Sequence, residues 1–86
     1  MNSYQVISHP VSTEKAIRLM ESQNKLVFVV HKKATKAQVA AAFQEMFKAK
    51  VVDVKTYITP QGVKKAYIRL SPETPALDVA TQLGLM

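Results

Sequence analysis

Basic and aromatic side chains alternate with apolar ones between Gly62 and Leu70. Because successive side chains of a β-strand point to opposite faces, this order separates the two kinds of residue. One face would hold Ala66, Ile68 and Leu70, and the other Lys65, Tyr67 and Arg69. Cations that neutralise phosphates, beside a ring on which a base can stack, are typical of a nucleic-acid-binding surface. A solvated strand face without a ligand is the alternative that this stretch alone leaves open.

The preceding segment, Val51 to Thr59, alternates in the same way and leads into the turn Thr59-Pro60-Gln61-Gly62. The two segments are therefore predicted to pair as a β-hairpin. The apolar side of the first arm is predicted to consist of Val52, Val54, Thr56 and Ile58. Lys55 and Tyr57 of the polar side should share one surface with the basic and aromatic residues of the second arm. This shared surface favours nucleic-acid binding.

A second basic cluster lies beside a predicted helix start and consists of Lys32, Lys33 and Lys36. Free backbone N–H groups and the helix dipole favour phosphate at such a position. Ordinary solvation of a loop is the alternative for these three lysines.

The composition favours a polyanionic partner. Twelve Lys and Arg against six Asp and Glu give a net charge of +6 and a pI of about 9.8. An acidic membrane surface is the other partner that such a charge allows. Without cysteine, a signal-like segment or an apolar run longer than Leu26 to Val30 in its front half, the chain is predicted to be a soluble, cytoplasmic protein. We expect one domain over residues 1–86, without membrane insertion.

Catalytic and metal-binding chemistry have few candidate residues. His9 and His31 are not spaced as a pair of metal ligands, and the six acidic residues are scattered singly. We interpret His9 as a turn or RNA-contacting residue and His31 as a strand end. The sequence therefore predicts no catalytic residue, no metal site, no cofactor and no small-molecule substrate.

Local patterns predict the elements before the hairpin. An edge strand is expected at Tyr4, Val6 and Ile7, and His9-Pro10 should stop it. Ser12 or Thr13 can cap a helix that ends near Asn24. Its buried side is predicted to hold Ala16, Ile17 and Met20.

A second strand and two more helices complete the set. Lys25 to His31 is apolar on both alternating faces, as an interior strand requires. Thr35 and Gln38 form a capping box for a helix that reaches about Ala49. Its apolar residues are Val39, Ala40, Phe43, Met46 and Phe47. After Ser71 to Pro75, a last short helix should pack on the sheet through Leu77, Ala80, Leu83 and Leu85.

These elements predict an α+β fold with a ferredoxin-like split β-α-β core. The strands Lys25 to His31 and Val51 to Thr59 would run parallel, with the Gly62 strand antiparallel between them. The N-terminal edge strand would complete a four-stranded sheet, and the Thr35 helix would cover one of its faces.

Four motifs in this order resemble the universal large-subunit ribosomal protein L23 family. They are Pro10-Val11-Ser12-Thr13-Glu14-Lys15-Ala16, Asn24 before an apolar strand, Lys33-Ala34-Thr35-Lys36, and Gly62-Val63-Lys64-Lys65-Ala66-Tyr67-Ile68-Arg69-Leu70. The resemblance covers nearly the whole chain. The minimal turn at Thr59 to Gly62 is similar to archaeal and eukaryotic members, whereas bacterial members carry a long basic extension there.

The resemblance implies a β-α-β-α-β-β sheet in the order 1-2-4-3 and binding of large-subunit ribosomal RNA at the exit of the peptide tunnel. Other implied partners are neighbouring ribosomal proteins such as the L29 type, the signal-recognition particle, a nascent-chain chaperone and the protein-conducting channel. Glu14 matches a family residue that docks such factors. With the residue patterns above, the predicted RNA-binding set is Thr13, Lys15, Lys33, Lys36, Lys55, Tyr57, Lys64, Lys65, Tyr67 and Arg69.

Two other classes of protein fit the fold plan alone. One is a small protein-interaction module that uses the sheet face without RNA, and the other is a regulatory ligand-binding domain of ferredoxin-like plan. Co-purifying nucleic acid, or sedimentation with large ribosomal subunits, would separate these classes from a ribosomal protein.

Overall fold

Four strands form one antiparallel sheet in the computed structural model, which describes residues 3–83. They are β1 (Ile7–Pro10), β2 (Lys25–Val30), β3 (Val51–Ile58) and β4 (Lys64–Leu70). Their order is β1-β2-β4-β3. Because β2 and β3 both run antiparallel to β4, they are parallel to each other. The predicted α+β fold and strand order are confirmed.

Within residues 3–83, four helices accompany the sheet, and the two that connect strands begin where the capping residues predict. They are α1 (Ser3–Val6), α2 (Glu14–Gln23), α3 (Lys36–Phe47) and α4 (Ala76–Gln82). At the start of α2, the Thr13 hydroxyl accepts the backbone N–H of Ala16 at 3.2 Å. At the start of α3, Thr35 and Gln38 exchange the two hydrogen bonds of a capping box, at 3.0 and 3.2 Å. These side chains satisfy backbone donors that a helix start leaves free.

The main core lies between one face of the sheet and helices α3 and α4. Its largest fully buried side chains are Phe28, Phe43, Ile68, Leu70 and Val39. The ring of Phe43 meets Phe28 edge-on, with 5.5 Å between centroids, and lies 4.8 Å from the ring of Phe47. The aromatic stripe of α3 is therefore core packing.

Helix α2 covers β2 where β1 no longer pairs with it. The partners of β1 are confined to Phe28–Val30, and beyond them the backbone N–H of Val11 donates to the carbonyl of Val27 at 2.9 Å. Ala16 and Met20 of α2 are buried, as predicted, and Val27 is 6% exposed. At Val27, β2 is thus also covered on the face opposite the main core, and α2 lies beside the part of β2 that β1 leaves unpaired.

The N-terminal elements differ from the prediction. Residues Ser3–Val6 form a single helical turn, so the strand begins only at Ile7. Val6 is 2% exposed and its carbonyl accepts the backbone N–H of His31 at 2.9 Å. The strand also continues through His9 to Pro10. An edge strand tolerates a proline, which has no N–H, because the N–H positions on its outer side need no partner.

Three residues predicted to be apolar contacts are exposed instead. Val52 is 61% exposed because the register shifts between Val51 and Asp53, which leaves Val52 as an extra residue in β3. Ile58 is 67% exposed at the end of β3, and Leu77 is 49% exposed on α4. The helix packs through Ala76, Val79 and Ala80 instead. The predicted contact of Leu85 lies outside the described residues.

Candidate nucleic-acid-binding surface

The sheet face turned away from α3 carries cations and rings in alternating cross-strand pairs. Lys55 of β3 lies opposite Tyr67 of β4, and Tyr57 lies opposite Lys65. Directly opposed side chains point to the same face, with their Cβ atoms about 4.5–5.5 Å apart. We call this surface the outer face, and its strand residues are Lys25, Val27, Val29, Asp53, Lys55, Tyr57, Lys65, Tyr67 and Arg69. The predicted sharing of one surface by both hairpin arms is confirmed.

The two tyrosines of the outer face form a right-angled pair. Their ring centroids are 5.4 Å apart and the ring planes meet at 89°. Tyr57 is 56% exposed, and Tyr67 is half-buried. Both rings therefore present aromatic surface to a ligand.

A cleft runs between these rings and helix α2. Its volume is about 400 Å³, and it is lined by Lys15, Leu19, Lys25, Lys55, Tyr57 and Tyr67. A smaller cleft of about 150 Å³ adjoins it and is lined in part by Thr13, Lys15, Lys65 and Tyr67. The fold thus brings Thr13 and Lys15 to the hairpin residues, although the sequence grouped them through the family motif alone.

The charge of the outer face is almost uniformly positive. No carboxylate of residues 3–83 lies within ion-pair distance of Lys15, Lys25, Lys55 or Lys65. Asp53 stands opposite Arg69 as the acidic member of the face. Cations without anionic partners are available to neutralise phosphates.

The other predicted basic residues lie elsewhere. Lys33 and Lys36 are exposed at the start of α3, outside the outer face. Lys64 alternates to the opposite side from Lys65, and its ammonium donates to the carbonyls of Ala34, at 2.6 Å, and Lys32, at 3.5 Å. The structure therefore divides the predicted set, and it gives Lys64 a role in joining β4 to the loop before α3.

Comparison with known proteins decides the family. The model of the family described as ribosomal protein L23 matches residues 5–77. Large ribosomal subunit proteins uL23 of two Methanococcus maripaludis strains are 51% and 49% identical to this chain, each over 99% of both chains. That of Methanococcus aeolicus is 48% identical over the same share.

This chain belongs to the ribosomal protein L23 family. It is accordingly a non-enzymatic component of the ribosome's large subunit, and the predicted family is confirmed. Alignment over 99% of both chains leaves no room for a long hairpin extension in these archaeal relatives, in agreement with the short turn at Gly62.

Glu14, for which the sequence resemblance predicts a docking role, is exposed in the first turn of α2. It directly follows the capping residue Thr13 and precedes Lys15 of the cleft. The same short segment therefore presents an acidic residue and a wall of the basic cleft.

Two residues of the cleft were missed by the sequence analysis. Lys25 pairs with Arg69 across β2 and β4, and Leu19 lies on the α2 wall. The strand period of two places Lys25 on the same face as Val27 and Val29, and this signal for Lys25 does not enter the prediction of an interior strand. The position of Leu19 depends on how α2 packs, which the sequence pattern does not specify.

The histidines have no metal-binding geometry. Both are exposed, and Nδ1 of His31 accepts the backbone N–H of Lys33 at 3.1 Å. Among residues 3–83, no group of three potential ligands is placed to hold a metal ion. Within the same range, no helix is long and apolar enough to cross a membrane.

Proposed function

We propose that this ribosomal protein L23 family member binds large-subunit ribosomal RNA through its outer face. The observation that carries the proposal is the alternating placement of Lys55, Tyr57, Lys65 and Tyr67 in directly opposed pairs. Family membership supports a ribosomal role over the interaction-module and ligand-binding alternatives that the fold plan allowed.

Binding would act through phosphates and RNA shape. The wide minor groove of an RNA helix exposes 2′-hydroxyls and phosphates, whereas its major groove is too deep and narrow for side chains to read bases. A four-stranded sheet with a fixed register holds its cations at set spacings, which suits such contacts. The exposed lysines at the start of α3, Lys33 and Lys36, would add a second point of phosphate contact.

The same domain would serve as a docking platform at the tunnel exit. Glu14 is exposed, and an acidic side chain there can attract a basic patch on a partner. The partners proposed from the family resemblance are the signal-recognition particle, a nascent-chain chaperone and the protein-conducting channel. Neighbouring ribosomal proteins, including the L29 type, would contact the domain within the subunit.

Removal of the outer-face cations tests the RNA proposal. Replacing Lys55, Lys65 and Arg69 together with Ala should weaken binding to transcribed Methanococcus maripaludis large-subunit RNA by about 10²-fold or more. If the wild type neutralises about four to six phosphates, its log affinity should fall with log salt at a slope of about −3 to −5. The variant should show a shallower slope, and filter binding across a salt series measures both quantities.

A control variant that removes the same number of cations distinguishes the effect of the outer face on RNA affinity from the effect of net charge. The combined variant Arg18→Ala, Lys48→Asn and Lys50→Ala removes three exposed cations that lie outside the outer face, outside both clefts and outside the lysine cluster before α3. Asn is used because Lys48 has a positive φ of 51°, which Asn tolerates. The control should retain most of the affinity. Equal losses in both variants, with unchanged circular dichroism, would show that charge acts without regard to the outer face.

A further inference from the structure

We propose that the cleft between α2 and the hairpin receives the base of one unpaired RNA nucleotide. The inference rests on the proposed RNA-binding function and specifies what kind of RNA element this part of the face accepts. Its central residues are Tyr57 and Tyr67, and Leu19 of α2 lines the same cleft.

The shape of the cleft suits a planar ligand. Because the two tyrosine rings meet at 89° with their centroids 5.4 Å apart, a base stacked on the free face of one ring lies perpendicular to the other ring. Leu19 adds apolar surface to the lining. The volume of about 400 Å³ falls in the range of about 300–1,000 Å³ that small-molecule sites occupy.

The polar groups around the rings suit a nucleotide. Lys15, Lys25 and Lys55 line the same cleft, where they can reach the phosphates on either side of an inserted base. Within residues 3–83, neither tyrosine hydroxyl has a protein hydrogen-bond partner, so both can bond to a base edge or a 2′-hydroxyl. An acidic peptide could satisfy the lysines, but its carboxylates offer no aromatic face to stack on the rings.

A paired base cannot use this site. Bases in a duplex stack on one another and expose no free face, whereas unpaired bases in loops and bulges can be splayed out onto aromatic side chains. The cleft therefore distinguishes single-stranded from duplex RNA, although the rest of the outer face contacts phosphates in both.

The test compares three RNA probes on the full chain. They are a short oligouridylate, an abasic ribose-phosphate oligomer of the same length, and a blunt RNA duplex of equal phosphate count. The chain has no Trp, and two of its three Tyr line the cleft, so a change in tyrosine emission that Tyr4→Phe does not remove reports on the cleft. The oligouridylate should quench this emission, and the abasic oligomer and duplex should not.

Two variants separate stacking from packing. Tyr57→Leu should weaken oligouridylate binding by about 5- to 150-fold and leave duplex binding and the salt slope unchanged. Tyr57→Phe keeps the ring and should retain most of the affinity. Because Tyr57 is 56% exposed, neither change should alter the fold, and circular dichroism checks this.

Specific results would overturn the inference. Unchanged oligouridylate affinity in Tyr57→Leu, or equal losses for oligouridylate and duplex, would show that no base stacks in the cleft. Poly-aspartate could instead displace oligouridylate from the wild-type protein as effectively as the abasic oligomer does. If oligouridylate also failed to quench tyrosine emission, the cleft would be assigned to acidic peptides. Failure of the proposed RNA function would give a different result. In that case neither the oligouridylate nor the duplex would bind in a salt-dependent way.

Discussion

Replacing Asn24 with Gly should lower the free energy of unfolding by about 3 kcal/mol, because the Asn24 side chain joins three parts of the chain. Its amide nitrogen donates to the carbonyls of Leu70 and Ser71, both at 3.1 Å, and to that of Thr74, at 3.2 Å. Its amide oxygen accepts the backbone N–H of Ala76 at 2.6 Å. The end of α2 is thereby tied to the end of β4 and the start of α4.

The magnitude follows from these bonds. Two amide hydrogens serve three carbonyls, so the side chain contributes about two donated bonds and one accepted bond, each worth about 0.5–1.5 kcal/mol. Asn24 has a φ of 54°, which Gly adopts without strain, so the substitution removes the side chain and leaves the backbone path possible. For a domain of this size, a loss of about 3 kcal/mol lowers Tm by about 12–24 °C.

Thermal and urea denaturation measure the effect, with Gln23→Ala as the control at an exposed neighbouring position. Asn24→Asp supplies a second test, because the new carboxylate would face three carbonyl oxygens. Those oxygens should raise the pKa of the introduced carboxyl in the folded state above its unfolded value of about 3.9. The destabilisation should therefore be smallest below about pH 4 and grow as pH rises. A Tm of Asn24→Gly equal to that of the control would refute this account of the side chain.

Two further predictions concern the core and the docking position. Phe43→Ala should lower the free energy of unfolding by about 3–5 kcal/mol, because Phe43 is fully buried. The control Gln44→Ala, at an exposed position, should change it by less than about 0.5 kcal/mol. Urea titration measures both, and equal effects would show that the buried face of α3 is wrongly assigned. Glu14→Lys should weaken docking of a nascent-chain chaperone or signal-recognition particle on reconstituted subunits by about 5- to 150-fold, through loss of attraction and gain of repulsion. Glu21→Lys, an exposed change on the same helix, is its control, and unaltered docking or failed subunit assembly in Glu14→Lys would contradict the docking role.

Local signals predicted the elements well because the physics behind them is local. The capping box of Thr35 and Gln38 involves residues three apart, so the start of α3 follows from the sequence alone. The opposite burial of Ala66 and Arg69 follows from strand alternation. The turn before β4 is also predictable from local sequence, because Gly62 adopts the positive φ of 81° that a short hairpin turn requires.

The features that local patterns do not predict depend on distant packing. Val52 follows the alternation of β3, yet a bulge set by pairing with β4 exposes it. Lys64 matches the family motif, but its contacts are determined by the approach of the loop that contains Ala34. The hydrogen bonds of Asn24 span 46 to 52 residues, and no periodicity reports contacts at such separation.

The packing of α2 connects the stability of the fold to the geometry of the proposed site. Lys15 and Leu19 line the cleft from α2, whereas Tyr57 and Tyr67 line it from the hairpin. Asn24 holds the end of α2 against the end of β4, and therefore helps to set the separation of these two walls. Glu14 lies next to Lys15 at the other end of the helix. An RNA bound in the cleft would therefore lie close to a factor that docks at Glu14. The position of α2 would then determine both the RNA contact at Lys15 and the docking contact at Glu14. A shift of the helix toward one partner would change its distance from the other.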